Sequence, residues 1–197
     1  MKSLEDCMGG RSFETERVAL RALDLEDAAS LQGYVNDEGI LGRRYIPWSV
    51  ADVAPLSRPQ VVAILEEWSK EKSGFTLGVL AKASGRLIGH ATCDWSWDPH
   101  SPSISVVIVP SQQRGGYGSE VLRLLVAHLF LDTPAHTITG WIASWNDPAL
   151  AFAAAGGFAE CGRIPRAGLR GGGYHDQVVV DLLRCEWVAR EGGRGAA

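Results

Sequence analysis

Residues 16–23, ERVALRAL, alternate in part between apolar and polar positions, the period of a half-buried strand. Asp24 follows as an N-cap with Asp27 three residues on, a capping box with Asp in the usual Glu place, and it opens a helix through Leu31 and Tyr34. Residues 36–58 read as loop. A second helix is predicted from about Pro59 to Lys72, with Val62, Leu65 and Trp68 on one face and Ser73-Gly74 as its stop. The pattern then switches to period two, giving strands near 75–81, 87–97 and 104–109, the first two joined at Ser84-Gly85. Helical spacing returns at 116–131, where Val121, Leu122, Leu125, Val126, Leu129 and Phe130 share a face until Thr133-Pro134. A strand at 136–143 precedes a short helix that Asp147-Pro148 opens and Gly156-Gly157 closes, with the proline in the first turn where its missing N–H costs nothing. Strands at 158–164 and 177–183 complete the series. This order predicts an α+β domain, a mostly antiparallel central sheet flanked by helices. No internal repeat interrupts it. The expected division is an extension over 1–12, one domain over 13–187 and a flexible Gly-rich tail over 188–197.

Composition narrows the class. With 46% apolar and 21% charged residues the chain reads as an ordinary globular protein. No apolar run reaches the roughly 18 residues of a membrane span, and Met1–Asp6 lacks the apolar stretch of a signal peptide. A cytoplasmic protein without membrane partners is therefore expected. Cys7, Cys93, Cys161 and Cys185 are far apart and form no C-x-x-C, so neither a zinc site nor a disulfide framework is expected. No His/Cys/Asp cluster has metal-ligand spacing. The net charge of −4 sits in residues 1–72, which carry 13 acids and 9 bases, while the remainder is balanced. No basic block points to nucleic acid. The acidic part suits either a cationic partner or a solvated helix face.

The stretch Val106 to Phe130, VVIVPSQQRGGYGSEVLRLLVAHLF, runs from strand through glycine turn to helix. A helix start leaves backbone N–H groups unpaired, the helix dipole adds positive character, and glycine lets a ligand approach the backbone. Together these suit a pyrophosphate, with Arg114 and Arg123 close enough in sequence to help. A P-loop would need G-x-x-x-x-G-K-S/T, which is absent. A dinucleotide fingerprint would need a third glycine near Val121 and an acid about 20 residues on. Coenzyme A remains, beside the plain reading of a glycine-rich connection.

Gln113-Arg114-Gly115-Gly116-Tyr117-Gly118 resembles the Q/R-x-x-G-x-G/A motif of the GNAT superfamily of N-acetyltransferases. Asn146 to Phe158, NDPALAFAAAGGF, is similar to that family's segment beside the cofactor. Residues 13–31, FETERVALRALDLEDAASL, and 173–187, GYHDQVVVDLLRCEW, resemble the opening and closing segments of the branch typified by the RimJ and RimL ribosomal-protein acetyltransferases. The resemblance implies acetyl-CoA as cofactor, with its pyrophosphate on Gln113, Arg114, Gly115, Gly116, Tyr117, Gly118 and Ser119. It places the pantetheine arm along the fourth strand and Asn146 near the thiol end. It also implies that backbone around Ile108 and Val109 polarises the thioester carbonyl.

Acetyl transfer to an amine needs a neutral amine, donors to the carbonyl oxygen, and help for the leaving thiolate. Many family members place a tyrosine acid seven residues after the motif asparagine. Here that position is Ala153; the RimJ/RimL branch commonly lacks the tyrosine too, which leaves the acid unassigned, and a bound water or no acid at all could suffice. The family's glutamate early on the fourth strand is replaced by Pro102-Ser103. Asp94, Asp98, His100, His175 and Asp176 are the candidates for base, each with a plain structural alternative. Asp94, His100, Asp176 and Asn146 form the expected catalytic set. Trp48, Tyr174 and His175 are the expected acceptor contacts.

Three functions follow from the resemblance: acetylation of a small cationic amine such as an aminoglycoside-type antibiotic or a polyamine, acetylation of a protein N-terminus, or acyl-CoA binding without catalysis. A dinucleotide-binding module is a fourth. A monomer or homodimer is expected.

Overall fold

The computed structural model describes residues 13–40, 54–95 and 98–194, with side chains through Glu191. The chain divides into two compact units, one of Phe13–Asp94 with Ser105–Leu124, the other of Trp95–Ile104 with the chain from Leu125 onward.

The first unit holds β1 (Val18–Ala22), α1 (Ala28–Val35), α2 (Arg58–Lys70), β2 (Gly74–Ala81) and β3 (Arg86–Asp94). It also takes most of β4 (Ser103–Ile108) and the start of α3 (Tyr117–Asp132). Its strands run β1-β2-β3-β4. β1 and β2 are antiparallel in the register Val18↔Ala81 to Ala22↔Leu77. β2 and β3 form the hairpin expected at Ser84-Gly85, and Gly85 takes φ 65° in its turn. The Asp24/Asp27 capping box is present, and it opens a single 3-10 turn that leads into α1. Ala28, Leu31, Tyr34 and Val35 of α1 pack with Val61, Ile64 and Leu65 of α2 and with Val107 of β4. The buried face of α2 is therefore one residue off the expected one, since Val62 and Trp68 lie only at its margin. Helix α2 stops at Glu71, before Ser73-Gly74, because the backbone turns extended there and Gly74 already belongs to β2.

The second unit holds the start of β4, then β5 (Thr137–Ala143), α4 (Asp147–Gly156), β6 (Ala159–Arg170), β7 (Gly173–Leu183) and α5 (Arg184–Arg194). Its strands run β4-β5-β7-β6. β4 and β5 are parallel at Ser103↔Thr139, whereas β5 pairs antiparallel with β7 and β7 with β6. The seven strands and five helices of the described residues, with both parallel and antiparallel pairing, make an α+β fold. Gly157, at φ 99°, ends α4 in the left-handed cap that glycine favours. Two expectations are corrected. The last two strands are far longer than their apolar cores, because Gly171 and Gly172, at φ 57° and 78°, close a tight hairpin and carry the ladder through polar sequence. Residues 184–194 form α5, so the segment from 188 to 194 is helical where no element was expected.

Candidate active site

β4 ends at Ile108, and the Val109 N–H donates to Ile88 O of β3 at 2.8 Å. That donor is committed to the sheet and is not free to polarise a thioester carbonyl. Pro110 opens one 3-10 turn, after which Gln113 Nε2 donates back to Ile108 O at 2.8 Å. The side chain of Gln113 therefore ties the loop to the strand end. Arg114 and Gly116 then take φ 61° and 84°, and α3 begins at Tyr117. The Glu120 N–H reaches Gly116 O at 3.2 Å, the first bond of the helix ladder. The N–H groups of Tyr117, Gly118 and Ser119 precede that bond and have no partner within the helix. Gln113 to Gly116 and Ser119 are exposed, and Tyr117 and Gly118 half-buried. A Cβ built on Gly116 would come within 2.9 Å of Arg17 Nη2, the movable end of a side chain, so it is the φ of 84° that disfavours a side chain there. The loop thus presents small residues, helix-end donors and positive character, and it fits a phosphate ester such as the diphosphate of coenzyme A.

Three residues of this neighbourhood escaped the sequence reading. Thr15 and Arg17, from the chain just before β1, both bond the carboxylate of Glu120 in the first turn of α3. They are about a hundred positions from it, and no spacing in the sequence could reveal the triad. In the same unit Asp94 is half-buried at the end of β3, opposite Gly74. Trp48 lies outside the described residues.

In the second unit Asn146 is half-buried and N-caps α4: its N–H donates to Ala143 O, and its carbonyl accepts from Ala149 and Leu150 N–H. Asp176 stands close by along the β5–β7 ladder, since Ser144 N–H donates to its carbonyl at 2.9 Å. Its carboxylate accepts from Arg166 N–H at 3.0 Å and from Arg163 at 3.5 Å. Those donors, the backbone one first, hold it below the usual carboxylate range, opposite to what a general base near neutral pH requires. Tyr174 is strongly exposed and His175 half-buried, on the β7 side of the hairpin opposite Leu169 and Gly168. Arg170 lies 3.7 Å from the Trp145 ring centroid, a cation–π contact. His100 sits on an exposed loop with Nδ1 3.2 Å from Asp98 Oδ1 and its ring 6.0 Å from that of His136. That pair has the base-and-orienter form, which Asp176 lacks. Ala153 is buried in α4 and brings no acid. Trp141 is half-exposed.

Among the described residues no group of His, Cys, Asp and Glu is arranged to hold a metal ion. None of their helices is long and apolar enough to cross a membrane. Similar folds occur in a GNAT-family acetyltransferase from Bacillus anthracis, at 19% identity over 88% of this chain and 98% of that one, TM-score 0.75. A probable acetyltransferase matches at 23% identity over 88% and 96%, TM-score 0.76. The spermidine N-acetyltransferase of Vibrio cholerae, solved with CoA and spermine, matches at 20% over 88% and 99%, TM-score 0.72. A model of the acetyltransferase (GNAT) domain matches residues 17–159, the greater part of the chain and the whole of the glycine loop. The chain belongs to the GNAT family of acetyltransferases, enzymes that draw their acetyl group from acetyl-CoA.

Proposed function

We propose that this enzyme transfers the acetyl group to a primary amine of a small cationic acceptor, by direct attack of the amine. The observation that carries the cofactor side is the loop at Gln113–Ser119, where two left-handed residues bring the backbone to a helix start with unpaired N–H groups. When bound, acetyl-CoA supplies an activated thioester. The chain's own residues then bind its diphosphate, hold the loop to β4 through Gln113, and manage the proton of the acceptor. An ammonium of pKa about 10.4 is not a nucleophile, so a proton must leave it first. His100, oriented by Asp98, has the better geometry for that task, and Asp176, engaged by Arg163 and Arg166, the poorer. Asn146 keeps its proposed role as a cofactor contact.

Two observations support a cationic acceptor. One is the acidic excess of residues 1–72, within which Asp37 and Glu38 are exposed at the end of α1. The other is the spermine bound by the Vibrio cholerae protein of similar fold. A second reading, acetylation of a protein N-terminus as in the RimJ/RimL branch, is favoured by the β6–β7 hairpin. Ile164, Leu169 and Tyr174 are exposed there and suit a peptide better than a polyamine. Acetyl-CoA turnover over a panel of polyamines, aminoglycosides, neutral monoamines and N-terminal peptides separates the two. Turnover is expected with the polycations; activity confined to peptides overturns the first reading in favour of the second.

A further inference from the structure

The helix start that suits a diphosphate also carries an acid of its own. Glu120 lies in the first turn of α3, and its side chain is only 10% exposed. A bare carboxylate there would compete with a bound anion for the positive helix end and would repel it at short range, where little water intervenes.

The segment leading into β1 answers that charge. Thr15 Oγ1 donates to Glu120 Oε2 at 2.6 Å. Arg17 Nε donates to Glu120 Oε1 at 2.6 Å, and Nη2 pairs with the same oxygen. Burial by itself would resist ionisation of Glu120, but the bonds from Thr15 and Arg17, with the charges of Arg17 and Arg123, outweigh it and hold the carboxyl below its usual range. Arg17 does more than pair. Its Nη1 donates to Gly115 O at 3.0 Å, and its guanidinium lies 5.0 Å from the Tyr117 ring centroid. In a trans peptide the C=O and N–H point in opposite directions. A Gly115 carbonyl held toward Arg17 therefore turns the Gly116 N–H away from it.

We infer that Arg17 is the positioning residue of the cofactor loop: it cancels the Glu120 carboxylate and fixes the Gly115–Gly116 peptide so that the loop can receive the diphosphate of acetyl-CoA. The inference rests on the reading that the loop holds that diphosphate. Lysine could supply the charge but not the planar fork that reaches Glu120 and Gly115 together.

The test is calorimetric titration with CoA, paired with thermal unfolding, on Arg17→Ala, Arg17→Lys, Arg17→Ala with Glu120→Gln, and Gly118→Val. Arg17→Ala is expected to weaken CoA binding by roughly 10–100-fold, the scale of losing one hydrogen bond to a charged group. Arg17→Lys should fall between it and the parent. Removing the stranded carboxylate as well should restore much of the loss, so the double variant binds CoA more tightly than Arg17→Ala does. With any active amine, the KM for acetyl-CoA should rise while kcat holds. A purely structural role predicts a lower melting temperature with unchanged affinity in the folded molecules and no gain from Glu120→Gln; that result overturns the inference. Should Arg17→Ala fail to unfold cooperatively, Arg17→Lys with and without Glu120→Gln makes the same comparison. Normal CoA binding by Gly118→Val would overturn the reading of the loop itself. Loss of binding in Gly118→Val beside normal binding in both Arg17 variants would sink only the role of Arg17.

Discussion

Arg21 and Asp27 stand six positions apart and meet in a two-pronged pair, Nη1 to Oδ2 and Nη2 to Oδ1, each at 2.7 Å. Asp27 is buried, and its Oδ2 also accepts the N–H of Asp24, so one carboxylate closes the capping box and anchors the helix start to β1. The hydrogen bond from Arg21 is the largest cause that holds the Asp27 carboxyl below its ordinary value, against the opposing effect of burial. A depressed folded pKa stabilises the fold above the unfolded value of about 3.9 and is lost as pH falls through the folded one. Asp27→Asn is therefore expected to cost about 1–2 kcal/mol at pH 7, a figure kept low because Arg21 is 40% exposed and screened. The gap from the parent should close progressively below about pH 4. Urea unfolding of both proteins at pH 7 and pH 3 measures it, and a gap that stays constant between the two would disprove the assignment to this ionised pair. The capping box was legible in the spacing of Asp24 and Asp27. The partner was not, because Arg21 reaches Asp27 only once β1 and the first turn are docked.

At the scale of elements, β3 and β4 approach each other so closely that Gly89 has no room for a side chain. A Cβ there would run into the Val107 carbonyl oxygen, which is backbone and cannot rotate aside. The contact sits one residue from the Val109-to-Ile88 bond that closes the end of β4, the strand from which the glycine loop departs. Gly89→Ala is expected to cost about 3 kcal/mol, the upper range for overpacking, and to weaken CoA binding along with it. Chemical denaturation and CoA titration on one preparation test this; a variant as stable as the parent would show that the strands can part without loss. The elements most legible in sequence were those whose apolar period matched their burial, as in α3, where Val121, Leu122, Leu125, Val126, Leu129 and Phe130 are all buried. The far halves of β6 and β7 carried no such signal. β6 is almost wholly exposed along its twelve residues, so its ladder rests on backbone bonds and a glycine turn and not on an apolar face. Helix α5 likewise begins at the residue directly after β7, with no loop composition to announce it.

For the whole molecule, the uneven charge bears on the acceptor. If exposed acids such as Asp37 and Glu38 draw in a polycation, the apparent KM for that amine should rise with ionic strength, because screening shortens to about 8 Å at 0.15 M salt. A salt series with spermidine is expected to raise the KM several-fold between about 0.02 and 0.3 M, while a neutral monoamine shows little change. A KM for spermidine indifferent to salt would exclude attraction by surface charge. The structure narrows which acids can take part: Asp27 is spent on Arg21, and Asp176 is engaged by Arg163 and the Arg166 N–H.

The sequence by itself determined the order of the strands and of the first four helices, the α+β class, and the loop at Gln113–Gly118, whose resemblance to the GNAT motif implied the cofactor. These are local matters: period, capping and glycine placement act over a few residues, and the loop's chemistry comes from backbone that any helix start exposes. Tertiary structure alone decided which side chains serve that loop and which candidates are already occupied. Arg17 meets Glu120 and Gly115 from about a hundred residues away, and Asp176 meets Arg163 and Arg166 only through the bulged register of a hairpin whose length the apolar pattern did not show. The Val109 N–H, which the family resemblance offered as a donor to the thioester carbonyl, is consumed by Ile88 once β3 and β4 are paired. Such pairings are set by which strands become neighbours, and hydrophobic periodicity fixes the face of each strand without naming its partner.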